Sequence, residues 1–525
     1  MKINFSFLAA TLYAISPIYA QAPSIQWQNT IGGSGFDIFY ALQQTADGGY
    51  IVGGLSDSNI SGDKTENSNG FWDYWVVKVD ATGTIQWQNT IGGSGYESNL
   101  FLQLTDDGGY FLGGTSDSNI SGDKTENSLG KEDYWVLKLD ATGTIQWQNT
   151  IGGNYYEVLS SIRQTADGGY ILGGGSSSNI SGDKTENSLG GLDFWVVKLD
   201  ATGDIQWQNT IGGNGLDEIR SIQQTADGGY ILGGTSESNV SGDKTENSLG
   251  TRDYWVVKLD TTGTIQWQNT IGGNGYDILT CLQQTTDGGY IIGGYSGSDI
   301  SGDKTENKMG DHDYWVVKLN ATGSIQWQNT IGGNGYESLT YLQQIADGGY
   351  ILGGFSNSNI SGDKTEDCLG STDYWVLKLD PTGAIQWQNT IGGLGDDLLY
   401  SFQQTTDDGY ILGGCSDSDI SIDKTENSLG GKDFWIIKLA PETVSTGEAP
   451  TALGSLMIYP NPTSDVLFLR SEATTTLCLH NAFGQILSTQ TIQNQGKIHL
   501  SPYPNGIYFL VEIETGIVHK ILKVK

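Results

Sequence analysis

Hydrophobic and polar positions follow a block of 60 residues that recurs without insertion or deletion. The letters IQWQNT open this block at seven places, namely Ile25, Ile85, Ile145, Ile205, Ile265, Ile325 and Ile385. Within IQWQNTI the isoleucines and the tryptophan occupy alternate positions, and glutamine and threonine occupy the positions between them. This period of two predicts a half-exposed β-strand. A repeat of this length is typical of solenoids and propellers.

Each block contains four runs with the character of strands. In the first copy they are 36–45, 50–54, 73–80 and Ile85–Ile91. The Asp-Gly-Gly turn after the first run is a strong hairpin signal. The third run, DYWVVKVD, is apolar on both faces, which indicates a sheet covered by neighbours on both sides. Four antiparallel strands per repeat predict one propeller blade, with a polar loop over 56–70.

The two ends of the array distinguish a ring from an open β-solenoid, which is the alternative. The first IQWQNT has no three-strand set before it, and the last three-strand set, within 396–439, has no IQWQNT after it. The stray first strand would complete the last blade and leave no sheet edge unpaired. Solenoids usually end in polar caps, and the sequence has none. We therefore predict an all-β chain with a seven-bladed β-propeller of four-stranded antiparallel blades.

The sequence around the repeats predicts three further segments. Residues 1–20 combine Lys2, an apolar run and Ala20 at a cleavage position, as in a secretory signal peptide. The propeller is expected over 21–440 and a linker over 441–455. Residues 456–525 contain short alternating strands with Gly and Pro turns, which predict a small Ig-like β-sandwich. No run is long enough to be a transmembrane helix.

The C-terminal block resembles the type A C-terminal sorting domain of type IX secretion in Bacteroidetes. The motif residues that carry this resemblance are Tyr459, Pro460, Asn461, Pro462, Gly484, Gly506 and Tyr508. It implies recognition by the type IX secretion machinery and export through the periplasm, followed by release or attachment at the outer cell surface. The repeats are similar to glycine-rich repeats of secreted Bacteroidetes proteins, a family generally of unknown function.

Charge and cysteine content narrow the classes of partner. The chain has 525 residues with 60 Asp and Glu against 26 Lys and Arg, a net charge of −34. This balance disfavours a nucleic acid and favours cations and solubility. The cysteines do not recur in register between repeats, so we expect unpaired thiols rather than a disulfide framework. They are Cys281, Cys368, Cys415 and Cys478.

An acidic residue follows each IGG segment and supplies the first candidate site. The seven residues are Asp37, Glu97, Glu157, Asp217, Asp277, Glu337 and Asp397. If the strand they begin is innermost, closure would gather them into a ring near the central channel that could hold a cation or a polar ligand. Alternatively, each carboxylate accepts hydrogen bonds from the N–H groups of its own Gly-Gly turn.

The polar loop supplies the second candidate, a weak calcium site formed by Asp57, Asn59, Ser61 and Asp63 and their equivalents in the other copies. Alternating oxygen-bearing residues before a glycine resemble a calcium loop. However, the twelfth position lacks the glutamate of an EF-hand, and the first position is Gly297 in the fifth copy. Asx and Ser/Thr turns with a local Lys–Glu pair are the alternative.

No arrangement of residues in the repeats indicates catalysis. The single histidine of the repeats, His312, is not repeated, and no nucleophile–His–acid set or phosphate-binding loop is visible. An active site requires asymmetry, whereas the copies are almost uniform. We expect a non-enzymatic binding or adhesion protein without a cofactor, which holds an extracellular glycan or protein at seven equivalent sites. The alternatives are a polysaccharide hydrolase or lyase with its site at the propeller mouth, and a structural surface spacer.

Overall fold

The computed structural model describes residues 22–442, 457–459, 466–470, 474–481, 485–493, 495–512 and 518–523. The predicted signal peptide and nearly all of the predicted linker lie outside these residues, as do Pro460, Asn461, Pro462 and Gly484 of the sorting motif. The chain divides into two compact units between residues 443 and 444.

Within 22–442 the chain forms seven antiparallel sheets of four strands. The first strands of the sheets are β2 (Asp37–Gln44), β6 (Glu97–Leu104), β10 (Glu157–Gln164), β14 (Asp217–Gln224), β18 (Asp277–Gln284), β22 (Glu337–Gln344) and β26 (Asp397–Gln404). The second strands are β3 (Tyr50–Ser56), β7 (Tyr110–Ser116), β11 (Tyr170–Ser176), β15 (Tyr230–Ser236), β19 (Tyr290–Ser296), β23 (Tyr350–Ser356) and β27 (Tyr410–Ser416).

The third strands are the apolar runs β4 (Asp73–Val79), β8 (Asp133–Leu139), β12 (Asp193–Leu199), β16 (Asp253–Leu259), β20 (Asp313–Leu319), β24 (Asp373–Leu379) and β28 (Asp433–Leu439). The fourth strands are the IQWQNTI segments β1 (Ile25–Ile31), β5 (Ile85–Ile91), β9 (Ile145–Ile151), β13 (Ile205–Ile211), β17 (Ile265–Ile271), β21 (Ile325–Ile331) and β25 (Ile385–Ile391).

The sheets close into a seven-bladed propeller, which confirms the predicted fold. The first strands of neighbouring blades contact one another around the ring, and β26 contacts β2. These strands are therefore innermost and surround the central channel. The last blade has the order β1-β28-β27-β26, with Ile31 opposite Phe434 and Ile25 opposite Leu439. The stray N-terminal strand thus completes the blade that the C-terminal end of the array leaves open.

Aromatic side chains of the third strands form the core between blades. Trp75 and its six equivalents are fully buried. The ring of Tyr74 stacks on Trp135 of the next blade with centroids 5.5 Å apart. Gly53 in the second strand allows the close approach, because a Cβ there would lie 2.8 Å from the Leu100 side chain of the next blade. The third strand is therefore apolar on both faces because neighbouring blades cover it on both sides, as predicted.

The second unit contains two small sheets that share one core. Their strands are β29 (Met457–Tyr459), β30 (Val466–Arg470), β31 (Thr475–Asn481), β32 (Ile486–Ile492), β33 (Gln495–His499), β34 (Gly506–Glu512) and β35 (Val518–Lys523). One sheet has the order β29-β30-β33 and the other β32-β31-β34-β35. Leu467 of the first sheet and Leu479 and Leu510 of the second are buried in the same cluster. This unit is the small β-sandwich that the sequence predicts.

Deleting residues 22–31 is expected to lower the melting temperature by roughly 10 °C or more, since several kilocalories per mole of packing would be lost. The deletion uncovers the hydrogen-bonding edge of β28 and removes the buried Ile31. Thermal unfolding followed by circular dichroism measures the change.

A synthetic peptide of residues 22–33 supplies the control for this deletion. Because the peptide binds the folded form, adding it in excess should raise the melting temperature of the truncated chain in a concentration-dependent way. A truncated chain that melts like the intact chain would contradict closure by β1.

Candidate functional site

The seven acidic residues predicted to form a ring lie inside the blades. Asp37 is the first residue of its innermost strand and has no exposed surface, and its six equivalents are at most 1 % exposed. Asp37 Oδ2 accepts hydrogen bonds from the Gly33 N–H at 2.6 Å and the Ser58 hydroxyl at 3.3 Å. In blade two the longer Glu97 accepts hydrogen bonds from two serine hydroxyls. These carboxylates therefore close the Gly-Gly turn and do not line the channel.

A buried lysine in each blade supplies the positive charge that these carboxylates face. Lys64 is 1 % exposed, and its Nζ donates to the Thr90 hydroxyl at 2.7 Å. Burial lowers the pKa of Lys64, while the negative charges of Asp37 and Asp73 act to raise it. Burial also raises the pKa of Asp37 to about 6 and that of Glu97 to about 7. The counter-charge is thus part of the blade itself.

The oxygens of the candidate calcium loop are engaged in hydrogen bonds to protein. Asp57 Oδ1 accepts a hydrogen bond from the Phe36 N–H at 2.7 Å, and Asp63 Oδ2 accepts one from the Gly32 N–H at 3.2 Å. Ser61 donates to the Asn59 carbonyl at 2.8 Å. Within the described residues, no three His, Cys, Asp or Glu side chains are grouped so that they could hold a metal ion. Calcium binding stays a prediction that the geometry does not require.

The wall of the central channel differs in composition from blade to blade. It encloses about 340 Å³ and is lined by the innermost strands. At the position of Tyr40 the seven copies carry Tyr40, Leu100, Ser160, Arg220, Thr280, Thr340 and Tyr400. At the next position they carry Ala41, Phe101, Ser161, Ser221, Cys281, Tyr341 and Ser401. The asymmetry that a specific site needs is therefore present on the channel wall.

A belt of glutamines crosses the channel wall one level further along the strands. The side-chain carbonyl of Gln43 accepts a hydrogen bond from the Leu104 N–H of the next blade at 2.7 Å. Gln103 and three other glutamines bond to their neighbouring blades in the same way. In the third blade Arg163 occupies this position. The belt thus ties neighbouring blades together and is interrupted by one cation.

Aromatic rings and hydroxyls line the channel above the belt. Tyr40 and Tyr400 stack with ring centroids 6.2 Å apart, and both are half-buried. The Thr280 and Thr340 hydroxyls donate to carbonyls of the following blades at 2.7 Å each, and both residues line the channel. Burial raises the pKa of Tyr341 to about 12, which keeps its hydroxyl protonated. The channel is therefore amphipathic.

The channel continues into a mouth over blades four and five. A cavity of about 380 Å³ is lined there by Arg252, Tyr276, Tyr295 and His312. A further cavity shares Tyr295 with this mouth and Tyr400 with the channel, and so connects them. Tyr295 and His312 meet edge to face at 5.7 Å. Burial lowers the pKa of His312, which favours a neutral imidazole in this aromatic surface.

A larger cavity of about 670 Å³ opens on the outer side of the ring beside Ala22 and Trp387. The residues that line it from the repeats recur in the other blades. Ala22 is the first described residue of the chain. The channel is consequently the better candidate, since it has both enclosure and an individual composition.

Sequence reasoning overlooked the channel although a signal was present. Comparing the copies column by column shows that Tyr40, Ala41 and their equivalents vary from Leu and Ser to Arg and Tyr. The same comparison identifies Arg252 and His312, which occupy equivalent positions in adjacent repeats and line the mouth with Tyr276 and Tyr295. The uniformity of the surrounding letters concealed these columns.

The C-terminal sorting motif lies partly within the described residues. Tyr459 belongs to β29, and Gly506 and Tyr508 belong to β34. Tyr508 is buried, and its hydroxyl donates to the Pro504 carbonyl at 2.5 Å. These positions therefore contribute to the small sandwich itself.

Comparison with known families and proteins supports export. Residues 457–524 match the family described as secretion system C-terminal sorting domain, which confirms the predicted type IX sorting domain and implies contact with that machinery. Over 385 residues the chain is 23 % identical to the regulatory protein FlaEY of Caulobacter vibrioides, a match that covers 67 % of this chain and 39 % of that protein. The chain thus spans well under half the length of this relative.

Solved structures resemble the chain only distantly. The WD40 domain of Neurospora crassa Pan2 has a TM-score of 0.41 at 10 % identity and covers 78 % of this chain and 95 % of its own. A protein of unknown function from Dyadobacter fermentans has a TM-score of 0.43 at 10 % identity over 80 % of this chain and 99 % of its own. The propeller architecture is established by the strand order of this chain.

Excess calcium and excess EDTA are expected to give the same melting temperature. A cation that binds only the folded state would raise it, but the oxygens of Asp57, Ser61 and Asp63 already accept or donate hydrogen bonds within the protein. Differential scanning calorimetry makes the comparison. A melting temperature that rises with calcium concentration would establish a cation site in the loops.

The substitution Glu97→Gln is expected to flatten the pH dependence of the free energy of unfolding. In the folded chain the pKa of Glu97 is about 7, above its ordinary value of 4.5. Stability from the protonated group is therefore complete below pH 4.5 and is lost as pH rises to 7. The loss is on the order of 3 kcal/mol for such a shift, and glutamine cannot undergo it. Urea unfolding at a series of pH values measures the difference.

Glu97→Asp is the matched control, because Asp occupies this position in blade one and still titrates. It should retain a loss of stability as pH rises, between about 3.8 and 6, the ordinary and folded pKa values of Asp37. Identical pH profiles for wild type and Glu97→Gln would show that Glu97 is already ionised in the fold throughout this range.

Proposed function

We propose that this exported protein is a non-enzymatic binding propeller that acts in the extracellular medium or at the outer cell surface, and that its ligand is a glycan held in the central channel and its mouth. The observation that supports this proposal is the chemical variety of the channel wall and its mouth. Tyr40, Arg220 and their equivalents give the channel an individual surface, and Arg252 and His312 do so at the mouth.

The chemistry of the channel suits a saccharide. Sugar rings present apolar C–H faces and a surrounding set of hydroxyls, so they bind to aromatic faces flanked by hydrogen-bonding groups. Tyr40 and Tyr400 supply stacked rings, and Phe101 adds a third in the same wall. Threonine hydroxyls and glutamine amides supply donors and acceptors. The volume of about 340 Å³ lies within the range of small-ligand sites.

A central site replaces the expectation of seven equivalent sites. The polar groups that recur in every repeat form hydrogen bonds within the protein. Asp37 accepts one from the Gly33 N–H and Lys64 donates one to the Thr90 hydroxyl. Asp73 accepts one from the Asn69 N–H. Ligand contacts are therefore proposed for the inner wall, where the blades differ. If the chain binds no glycan, two alternatives are left, namely an extracellular protein as ligand and a purely structural spacer.

The hydrolase or lyase alternative has less support from the channel wall. Glycoside hydrolysis commonly uses two carboxyl groups on either side of the scissile bond. Among the described residues that line the channel and its connecting cavity, none is Asp or Glu, and the one carboxylate that lines the mouth, Glu237, is paired with Arg252 at 2.6 Å. Binding is therefore proposed in preference to turnover, and an assay for product release decides between them.

A glycan array probed with the purified chain is expected to give binding without product formation. Replacing both Tyr40 and Tyr400 by Thr, the residue of blades five and six at this position, should weaken that binding about 3- to 10-fold, as expected from the loss of aromatic stacking. Isothermal titration with the best array ligand measures the affinity, and chromatography of the ligand measures turnover.

Ile60→Ser is the matched control, since this exposed side chain lies in a loop outside the channel. It should leave the affinity unchanged. Equal affinity of the double Tyr variant and the wild type would contradict a channel site, and ligand cleavage would replace binding by catalysis.

A further inference from the structure

Arginine in the repeats is found only around the channel and its mouth. The chain carries a net charge of −34, and only three arginines occur within its repeats. Arg163 and Arg220 line the channel, and Arg252 lines the mouth. The repeated lysines have other roles, since Lys64 is buried in its blade and Lys78 pairs with Asp47 at 3.0 Å. A cavity that collects every arginine of an acidic propeller is suited to an anion.

Two of the three arginines are neutralised by neighbouring carboxylates. Arg220 pairs with Glu218 at 2.8 Å. Arg252 pairs with Glu237 at 2.6 Å and approaches Glu218 at 3.9 Å. These pairs shape the mouth but leave little net positive charge there. Any anion selectivity must therefore come from Arg163.

Arg163 has no acidic partner among the described residues. Its Nη1 donates to the Ile162 carbonyl at 2.8 Å. Burial lowers its pKa, with only Tyr341 acting in the other direction, yet a guanidinium remains protonated in proteins. The remaining donors of Arg163 are not buried and are accessible from the channel. A bound carboxylate can accept two parallel hydrogen bonds from such a guanidinium.

The buried carboxylates at the strand starts do not cancel this charge. Arg163 lies six positions after Glu157 on β10, which corresponds to roughly 20 Å of extended strand. This separation is more than twice the Debye length at physiological ionic strength, which is about 8 Å. The positive charge of Arg163 therefore acts locally at the level of the glutamine belt.

We infer that the channel selects a carboxylate-bearing saccharide, with the carboxylate on Arg163 and the sugar faces against Tyr40 and Tyr400. This inference rests on the proposed glycan-binding function and specifies its ligand class. A long polyanion would be repelled by the net charge of −34. The ligand is consequently a short acidic oligosaccharide or the acidic end of a longer chain.

Titration calorimetry with a short oligogalacturonate and with its methyl ester tests the inference on the purified chain. The acid is expected to bind about 10- to 100-fold more tightly than the ester, in line with a charge-assisted hydrogen-bonded pair. Arg163→Gln should reduce the affinity for the acid to that for the ester and leave the ester unchanged. Glutamine occupies this position in the other six blades, so the variant is expected to fold.

Lys131→Gln is the matched control because it removes the same charge at an exposed position over Tyr155 that lines neither the channel nor its mouth. It should not alter either affinity. Equal binding of acid and ester, or an Arg163→Gln variant that still prefers the acid, would overturn the carboxylate inference while glycan binding stands. If array and titration show no glycan binding, the proposed function fails together with it.

Discussion

The antiparallel pairing of β1 with β28 is the contact on which the whole ring depends. Each blade packs both faces against neighbours, so an unclosed last blade would expose one edge and weaken two inter-blade cores. The pairing also supplies hydrogen-bond partners for polar side chains of the last blade. Lys424 donates to the Thr30 hydroxyl at 2.5 Å, and Trp435 Nε1 donates to Gln28 at 3.0 Å. Residues some 400 positions apart in the chain thus form the same network that adjacent segments form elsewhere.

Buried charge explains why the polar loops scarcely change between copies. Lys64 lies 5.5 Å from the ring centroid of Trp75 and faces Asp37 and Asp73. Removing one member of such a set leaves another buried charge without a partner, which is strongly destabilising. The loop residues therefore have to be kept together in each blade. Their repetition reflects the stability of the blade, and no ligand is needed to account for it.

The sequence was sufficient to predict the propeller because the relevant signals are local and repeated. The count of blades follows from the 60-residue period, and closure follows from the complementary ends. For the carboxylate of Asp37 it left two alternatives open, a ring at the channel or hydrogen bonds to the Gly-Gly turn, and the bonds from the Gly33 N–H and the Ser58 hydroxyl agree with the second. It was insufficient for the channel, because a β-bulge in each innermost strand decides which residue faces inward.

Blade two shows the consequence of that bulge. There the register shift lies between Ser98 and Phe101, whereas in blade one it lies between Phe39 and Ala41. Leu100 consequently packs in the core and Phe101 faces the channel. A strict period of two assigns these two residues to fixed faces and cannot place the bulge. Side-chain direction at the channel was therefore accessible only from the three-dimensional arrangement.

A small effect of substitutions on stability does not by itself explain why the channel residues differ between blades. Gln86 of the outer strand is exposed, and a change there should cost little in stability. Nevertheless all seven copies carry glutamine at this position, while the half-buried channel positions range from Ser to Arg and Tyr. Exposed positions such as Phe71, Lys131 and Gly191 also differ between copies, so exposure by itself does not determine which columns vary. The ligand proposed above would account for the individual composition of the channel wall, because a ligand that touches several innermost strands requires each blade to contribute a different group.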